Sequence, residues 1–294
     1  MGGIQGPVAF RRVVVAPNAY KGTLSARAAS LAISTGVGRA WPGVACAEVP
    51  LADGGDGFLA TLVDGREHEI VVLEVSGPLL EPVRAEVGWL SSSDGLTAVL
   101  ELAGSDGLML LPRPSPETAR RASTRGLGEL LRMAGGRQPA RILVGLGGSA
   151  STDGGAGLAG ALGYRLLDRR GVPIPEGGLG LLEIDRIEPP ADGPGWSGIE
   201  IVAACDVENP LLGPAGAAAV FAPQKGADEG TVALLEQGLA RLVEVVARDL
   251  GVSGREGEPG MGAAGGAAFG LACFCQAQLT SGVGLVAAVA GLDR

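Results

Sequence analysis

Two aspartates open the same five-residue pattern, Asp-Gly-Gly-x-Gly, at 53–57 and again at 153–157, each just after an apolar run. Glycines leave backbone N–H groups uncovered, so a turn of this kind can surround an anion at the start of a following helix. The second copy lies in RILVGLGGSASTDGGAGLAGALG, residues 141–163, which reads as a strand over Ile142 to Leu146, a phosphate-sized loop and a helix. Gly147, Gly148 and Ser149 supply the cradle, and Asp153 is the one charge within it. A carboxylate beside a phosphate repels it unless a divalent cation lies between them or the carboxylate takes up a proton, so the pattern points to a Mg²⁺-nucleotide or a base. The alternative is a tight turn with a capping aspartate, since the spacing is neither Walker A nor the dinucleotide fingerprint. Asp53 and Asp56, three apart with Gly54 and Gly55 between them, could share one cation, although Asp-Gly pairs are also ordinary turn formers.

A third polar constellation, ACDVENPLLGPAG, places Asp206 and Asn209 just past the end of a predicted strand, where α/β sheets usually bind ligands. Of 23 basic residues only Lys21 and Lys225 are lysine. Both sit at turn-like junctions, NAYKGTLS and FAPQKGAD, where a compact ammonium could meet a phosphate or carboxylate. A genome rich in arginine codons is the competing explanation. Cys46, Cys205, Cys273 and Cys275 form no CxxC pair, and the single histidine, His68, has no serine or cysteine signature around it. Zinc and Ser-His or Cys-His chemistry are therefore disfavoured, and unpatterned cysteines fit reduced thiols in a cytoplasm. No G-x-G-x-x-G opens a helix after the first strand, which argues against a nicotinamide dehydrogenase. A net charge of −9 argues against nucleic acid and anionic membranes as partners.

The elements that must position these residues follow from the pattern. Glycine makes up 51 of 294 residues, aromatics only 3%, and the apolar 46% is mostly Val, Leu, Ile and Ala, a composition suited to strands covered by helices on both faces. Val13 to Ala16 reads as a strand, Ser25 as the N-cap of a helix towards Arg39, Val44 to Leu51 as a second strand and Phe58 to Val63 as a short helix. Ile70 to Val75, Val83 to Leu90 and Thr97 to Leu102 read as strands of an antiparallel or mixed sheet, with a lobe boundary near Gly77. Thr124 to Ala134 reads as a helix, residues 168–198 as a long excursion with at most one short strand, Ile199 to Cys205 as a strand, and Asp228 to Leu250 as an amphipathic helix. Pro259 to Leu292 carries no charge, but Gln276, Gln278, Thr280, Ser281 and the glycines interrupt it, so a buried helix pair is expected rather than a membrane span. No signal peptide is expected at the N-terminus.

Seven ordered segments, VVVAPNAYKGTLSA, PLADGGDG, ELAGSDGL, STRGLGELL, VGLGGSASTDGGAG, ACDVENPLLGPAGAAAVFAPQKGA and GAAGGAAFGL, together resemble the bacterial glycerate kinases of type I over Val13 to Asp293. The resemblance implies an α/β fold of two lobes with the active site in the cleft between them. One is a Rossmann-like parallel-sheet lobe, residues 1–76 and 277–294; the other is a larger inserted mixed-sheet α/β lobe, residues 77–276. It implies ATP-dependent phosphorylation of D-glycerate, 2-phosphoglycerate rather than 3-phosphoglycerate as product, and Mg²⁺ with ATP as cofactors. A homodimer is compatible with it. Carried onto this chain, the family pattern points to Lys21, Ser25, Asp53, Gly54, Gly55, Asp56, Gly147, Gly148, Ser149, Asp153, Asp206, Asn209, Gln224 and Lys225. Asp206 first and Asp153 second would accept the glycerate proton or hold Mg²⁺, and Lys21 or an arginine would neutralise charge. Relatives of this type continue past the position matching Gly291 with a segment like TGEGRxDxQT. That implies a C-terminally shortened chain with an incomplete first lobe, and, as the alternative function, a non-catalytic relative keeping only a glycerate or nucleotide pocket. Asn18 and Ala19 stand where many relatives carry Asp and Ser.

Overall fold

A computed structural model describes residues 11–20, 23–191, 193, 195–196 and 198–292. The chain starts with a βαβ unit. β1 (Arg12–Val15) pairs in parallel with β2 (Ala45–Glu48), and α1 (Ala26–Ala40) makes the crossover. Ser25 caps α1 as the sequence predicts, its Oγ accepting from the Ala28 N–H at 3.2 Å. The turn at 49–57 then leads into α2 (Phe58–Val63).

The main sheet has six strands in the order β10-β9-β6-β5-β4-β3. β3 (His68–Ser76) and β4 (Pro82–Ser92) form an antiparallel hairpin, and β5 (Gly95–Glu101) runs antiparallel to β4. β6 (Arg141–Gly145), β9 (Glu200–Ala204) and β10 (Gln278–Thr280) continue in parallel with β5. A separate antiparallel pair, β7 (Arg165–Leu167) with β8 (Arg186–Glu188), lies in the excursion.

Period-2 alternation sends successive side chains of the buried strands to opposite faces. Ala98, Leu100, Ile142, Val144, Ile201 and Ala203 join the larger core. Covering that face are α5 (Arg125–Gly135), α6 (Ala156–Ala161), α7 (Ala217–Phe221), α8 (Glu229–Leu250) and α9 (Ala263–Phe274). Val99, Leu143, Val202 and Ala204 face the other way, onto Phe58, Leu59 and Leu62 of α2 and Val286 of α10 (Gly282–Ala290). Both faces are therefore covered, which the aliphatic composition foreshadows. α8 begins at the Asp228 cap, whose carboxylate accepts from Thr231 N–H at 2.7 Å, and buries Leu235, Leu239, Leu242 and Val246 as its spacing predicts. Two short helices, α3 (Ala103–Asp106) and α4 (Pro116–Arg121), follow β5.

Two expectations require correction. A lobe boundary at Gly77, with 1–76 on one side, cuts a hairpin, because Val75 pairs with Val83 and Ser76 with Pro82 across the 77–81 turn. Residues 277–292 likewise do not join the small sheet, since β10 pairs with β9 and α10 packs on the main one. The change of texture at Gly77 is real, but a strand belongs to the sheet that holds its hydrogen bonds. The charge-free stretch at 259–292 does hold two helices, α9 and α10, with the short strand β10 between them. No helix among the described residues is long and apolar enough to cross a membrane.

Leu130 of α5 is fully buried at the centre of the larger core. Leu130→Ala is expected to lower stability by about 2–5 kcal/mol in urea unfolding, a cost that a peripheral position would not show.

Candidate functional site

The C-terminal ends of β5, β6 and β9 open on one edge of the sheet, and the polar turns cluster there. The 53–57 turn crosses from the small sheet and lies directly on these ends. A Cβ on Gly54 would stand 2.2 Å from the Ala204 carbonyl oxygen that ends β9, and one on Gly147 would stand 2.3 Å from Gly55 Cα. Gly54 also has φ +88°, which a side chain would strain. At Gly148 a Cβ would lie 3.2 Å from Asp56 Oδ1, and at Gly282 it would lie 2.4 Å from the carbonyl carbon of Asp53. The turns carrying Asp53, Gly148 and Asp206 thus form one assembly.

Backbone bookkeeping shows what this assembly presents. Past β6, the Ala150 N–H donates to Asp106 O at 2.8 Å and the Ser151 N–H to Asp106 Oδ1 at 3.1 Å. Among the described residues the N–H groups of Gly147, Gly148 and Ser149 find no acceptor in the chain. Backbone N–H groups are ordinarily paired, so three consecutive free ones beside a turn at φ +66° form a nest for an anion.

Asp206 is exposed at the end of β9. Its carboxylate accepts from Ser281 Oγ at 2.5 Å and from Val283 N–H at 3.0 Å, so the start of α10 orients it. Asp56 is exposed, and Asp53 Oδ1 accepts from Gly55 N–H at 3.0 Å. Beside Asp56 lies a cavity of 550 Å³ lined by Ser25, Thr23, Tyr20, Arg27 and Thr61. An Arg27–Asp64 ion pair sits at its rim. Lys21 lies outside the described residues.

Other predicted residues are placed differently. Asp153 does not face the crevice. It is fully buried, and its oxygens accept from Thr124 N–H and Oγ at 2.9 Å, Gly155 N–H at 3.0 Å and Gly157 N–H at 3.1 Å. It therefore caps the starts of α5 and α6 together. Burial pushes its carboxyl upward, opposed by the Thr124, Gly157 and Gly155 donors. With its lone pairs so engaged, Asp153 does not fit a metal ligand. Lys225 is also buried, at 1% exposure, underneath the nest rather than within reach of a ligand; it donates to Ser149 Oγ at 2.7 Å and to Ser151 O. Ser149 consequently turns its hydroxyl inward. Asn209 Nδ2 donates to Ala215 O at 2.8 Å and so holds its own loop, while Gln224 is exposed on the turn before Lys225.

Two acids at and past the end of β5, the half-buried Glu101 and the buried Asp106 of α3, have no place among the predicted site residues. Glu101 Oε1 accepts from Leu59 N–H at 2.6 Å and thereby caps α2 from another strand. Burial pushes its carboxyl upward, opposed by Leu59 N–H and reinforced by Asp56 and Glu86. Both acids lie in or beside ELAGSDGL, a polar segment after a strand, the same signal that singles out Asp206.

For Mg²⁺, no three His, Cys, Asp or Glu side chains cluster as a metal site among the described residues. Mg²⁺ bound through phosphates needs only one or two carboxylates, and the outward-facing Asp56 and Asp206 fit that requirement.

Glu101→Gln keeps an oxygen for Leu59 N–H and removes the charge. Because the folded state raises this carboxyl, its contribution to stability is complete below about pH 4.3 and is lost as pH rises through the higher folded value. Urea unfolding from about pH 4 to 7 is expected to move the stability difference progressively in favour of Glu101→Gln; a difference flat in pH contradicts this placement.

Comparison with known proteins shows the family. The family model described as "Glycerate kinase family" matches residues 13–294. A glycerate kinase of Bacillus subtilis is 40% identical over 275 residues, 94% of this chain and 71% of that protein. A glycerate 2-kinase of Escherichia coli is 38% identical over 283 residues, 96% of this chain and 73% of that protein. The crystal structure of a candidate glycerate kinase 2 from Salmonella typhimurium LT2 superposes with a TM-score of 0.83 at 39% identity, covering 97% of this chain and 75% of that one.

Proposed function

The chain belongs to the glycerate kinase family, and on that premise we propose that it transfers the γ-phosphoryl group of ATP to a hydroxyl of D-glycerate, giving 2-phosphoglycerate. The observation that carries this reading is the turn at 147–149, whose three N–H groups find no acceptor among the described residues and which lies beside the Asp56 carboxylate, at the same sheet edge as Asp206. Donors of this kind suit the phosphate chain of a nucleotide, and carboxylates opposite suit the acceptor hydroxyl and a cation. The 550 Å³ cavity beside Asp56 has room for a three-carbon hydroxy acid and carries Ser25 and Arg27 in its wall.

In the transfer, the glycerate oxygen forms a bond to the γ-phosphorus and the bridging β–γ oxygen leaves with ADP. Asp206, oriented by Ser281 and Val283, accepts the hydroxyl proton. Nest amides bind the phosphate oxygens, and Arg27 neutralises the glycerate carboxylate. Mg²⁺, when bound, would offset phosphate charge, with Asp56 as the residue that would hold it while Asp206 serves as base.

ADP formation is expected to require D-glycerate and to stop when EDTA removes Mg²⁺. Asp206→Asn is expected to lower kcat by at least about 100-fold, and full turnover in that variant would remove Asp206 from its role. Proton-coupled phosphorus NMR identifies the product: a phosphate on C2 couples to one carbon-bound proton and one on C3 to two. Binding of ATP and glycerate without ADP formation would instead make the chain a non-catalytic binding protein.

A further inference from the structure

Beneath the nest lies a layer of buried polar side chains that the proposed chemistry does not use. Asp106, fully buried at the end of α3, accepts from Ser151 Oγ at 2.5 Å and from Ser151 N–H at 3.1 Å, while its own carbonyl accepts from Ala150 N–H at 2.8 Å. On the other side of the same turn, Leu108 N–H donates to Gly148 O at 2.7 Å. Lys225 approaches from the turn after α7 and donates to Ser149 Oγ and Ser151 O. Asp106 and Lys225 thus hold Ser149, Ala150 and Ser151 of one turn while Leu108 holds Gly148, and the N–H groups of Gly147, Gly148 and Ser149 are left without an acceptor among the described residues.

Buried charges are expensive. An unpaired one costs several kcal/mol, so a layer of this kind over a merely structural turn would be a poor exchange for apolar packing. Both groups show the strain of the environment. Burial pushes the Asp106 carboxyl well upward, opposed by the Ser151 hydroxyl, raised further by Asp153 and opposed again by Lys225; burial pushes Lys225 down to about 8, opposed by Asp106 and Asp153. What the arrangement secures is a fixed direction for N–H groups that must meet charge without reorganising.

We propose that Asp106 and Lys225 are positioning residues, which clamp the 148–151 turn from below so that the Gly147, Gly148 and Ser149 N–H groups converge on a phosphate that neither residue touches. The proposal rests on the phosphoryl-transfer reading for its kinetic part only. The clamp itself is a statement about where phosphate is received.

The test uses the purified chain, Asp106→Leu, Lys225→Met and the isosteric Asp106→Asn, whose amide can still accept from Ser151 N–H. Two readouts are taken: the shifts of the 147–149 amide resonances on adding MgADP, and kcat with KM for each substrate. In the parent, MgADP is expected to move all three resonances. Asp106→Leu and Lys225→Met are expected to lose those shifts and at least tenfold in kcat, with KM for glycerate within about twofold, whereas Asp106→Asn stays within about threefold of the parent. A general loss of structure would not separate kcat from KM in this way or be rescued by Asn. Should the first two variants fail to fold, Ser151→Ala, which deletes only the hydroxyl on Asp106, is expected to show the same selective loss of shifts and a fall in kcat of about fivefold. Parental shifts and kcat in the variant that folds overturn the clamp, as does a parent whose 147–149 resonances ignore MgADP. A parent that shows the shifts but makes no ADP sinks the phosphoryl-transfer reading and leaves the clamp standing.

Discussion

Close approach of bare backbone is the constraint on which the rest of the structure depends. The 53–57 turn must lie on the ends of β6 and β9 at distances that admit no Cβ at Gly54, Gly147 or Gly282. This contact, with the packing of α2 on the main sheet, brings a loop from the small parallel sheet against loops from the large one. Without it, Asp56 and Asp206 would belong to separate surfaces, and the nest at 147–149 would face solvent alone. The high glycine content of the chain is thus in part a requirement of assembly at one edge, since glycine gains positive φ and closeness at an entropic cost in the unfolded chain.

Charge at this edge is sorted by depth. Outward-facing carboxylates, Asp56 and Asp206, keep open lone pairs and are oriented by neighbouring turns or by a helix start. Inward-facing ones, Asp106 and Asp153, spend theirs on N–H and hydroxyl donors of the same chain. The two Asp-Gly-Gly-x-Gly copies illustrate the difference. They share a sequence and a left-handed glycine at its second position, Gly54 at φ +88° and Gly154 at φ +63°, ahead of a helix. Asp53, however, sits on top of the strand ends, whereas Asp153 sits between α5 and α6. A local pattern specifies the turn, and only the packing around it decides whether its aspartate is a ligand group or a cap.

Local structure was largely legible in the sequence. α2 occupies the predicted Phe58–Val63, and the Ser25 and Asp228 caps hold as expected, because each depends on residues within a few positions. What pairs with what was less legible. β10 joins β9 from more than seventy residues away, so its sheet membership is settled by long-range hydrogen bonds that no window sees. Convergence of the Asp53, Gly148 and Asp206 turns was foreseeable from the rule that parallel strands gather polar loops at their C-terminal ends. Burial was not: Lys225 and Asp153 look like ligand groups because lysine and aspartate are rarely enclosed, and the donors that make their enclosure tolerable come from Ser149, Ser151, Thr124 and glycine amides scattered along the chain.

The enclosure of Lys225 also makes its amine a natural clock for motion at this edge. An acylating reagent can reach that nitrogen only while the turn above it is lifted away, so the pace at which Lys225 is labelled reports how often the floor of the crevice breathes, and a nucleotide seated on the outer side should slow it.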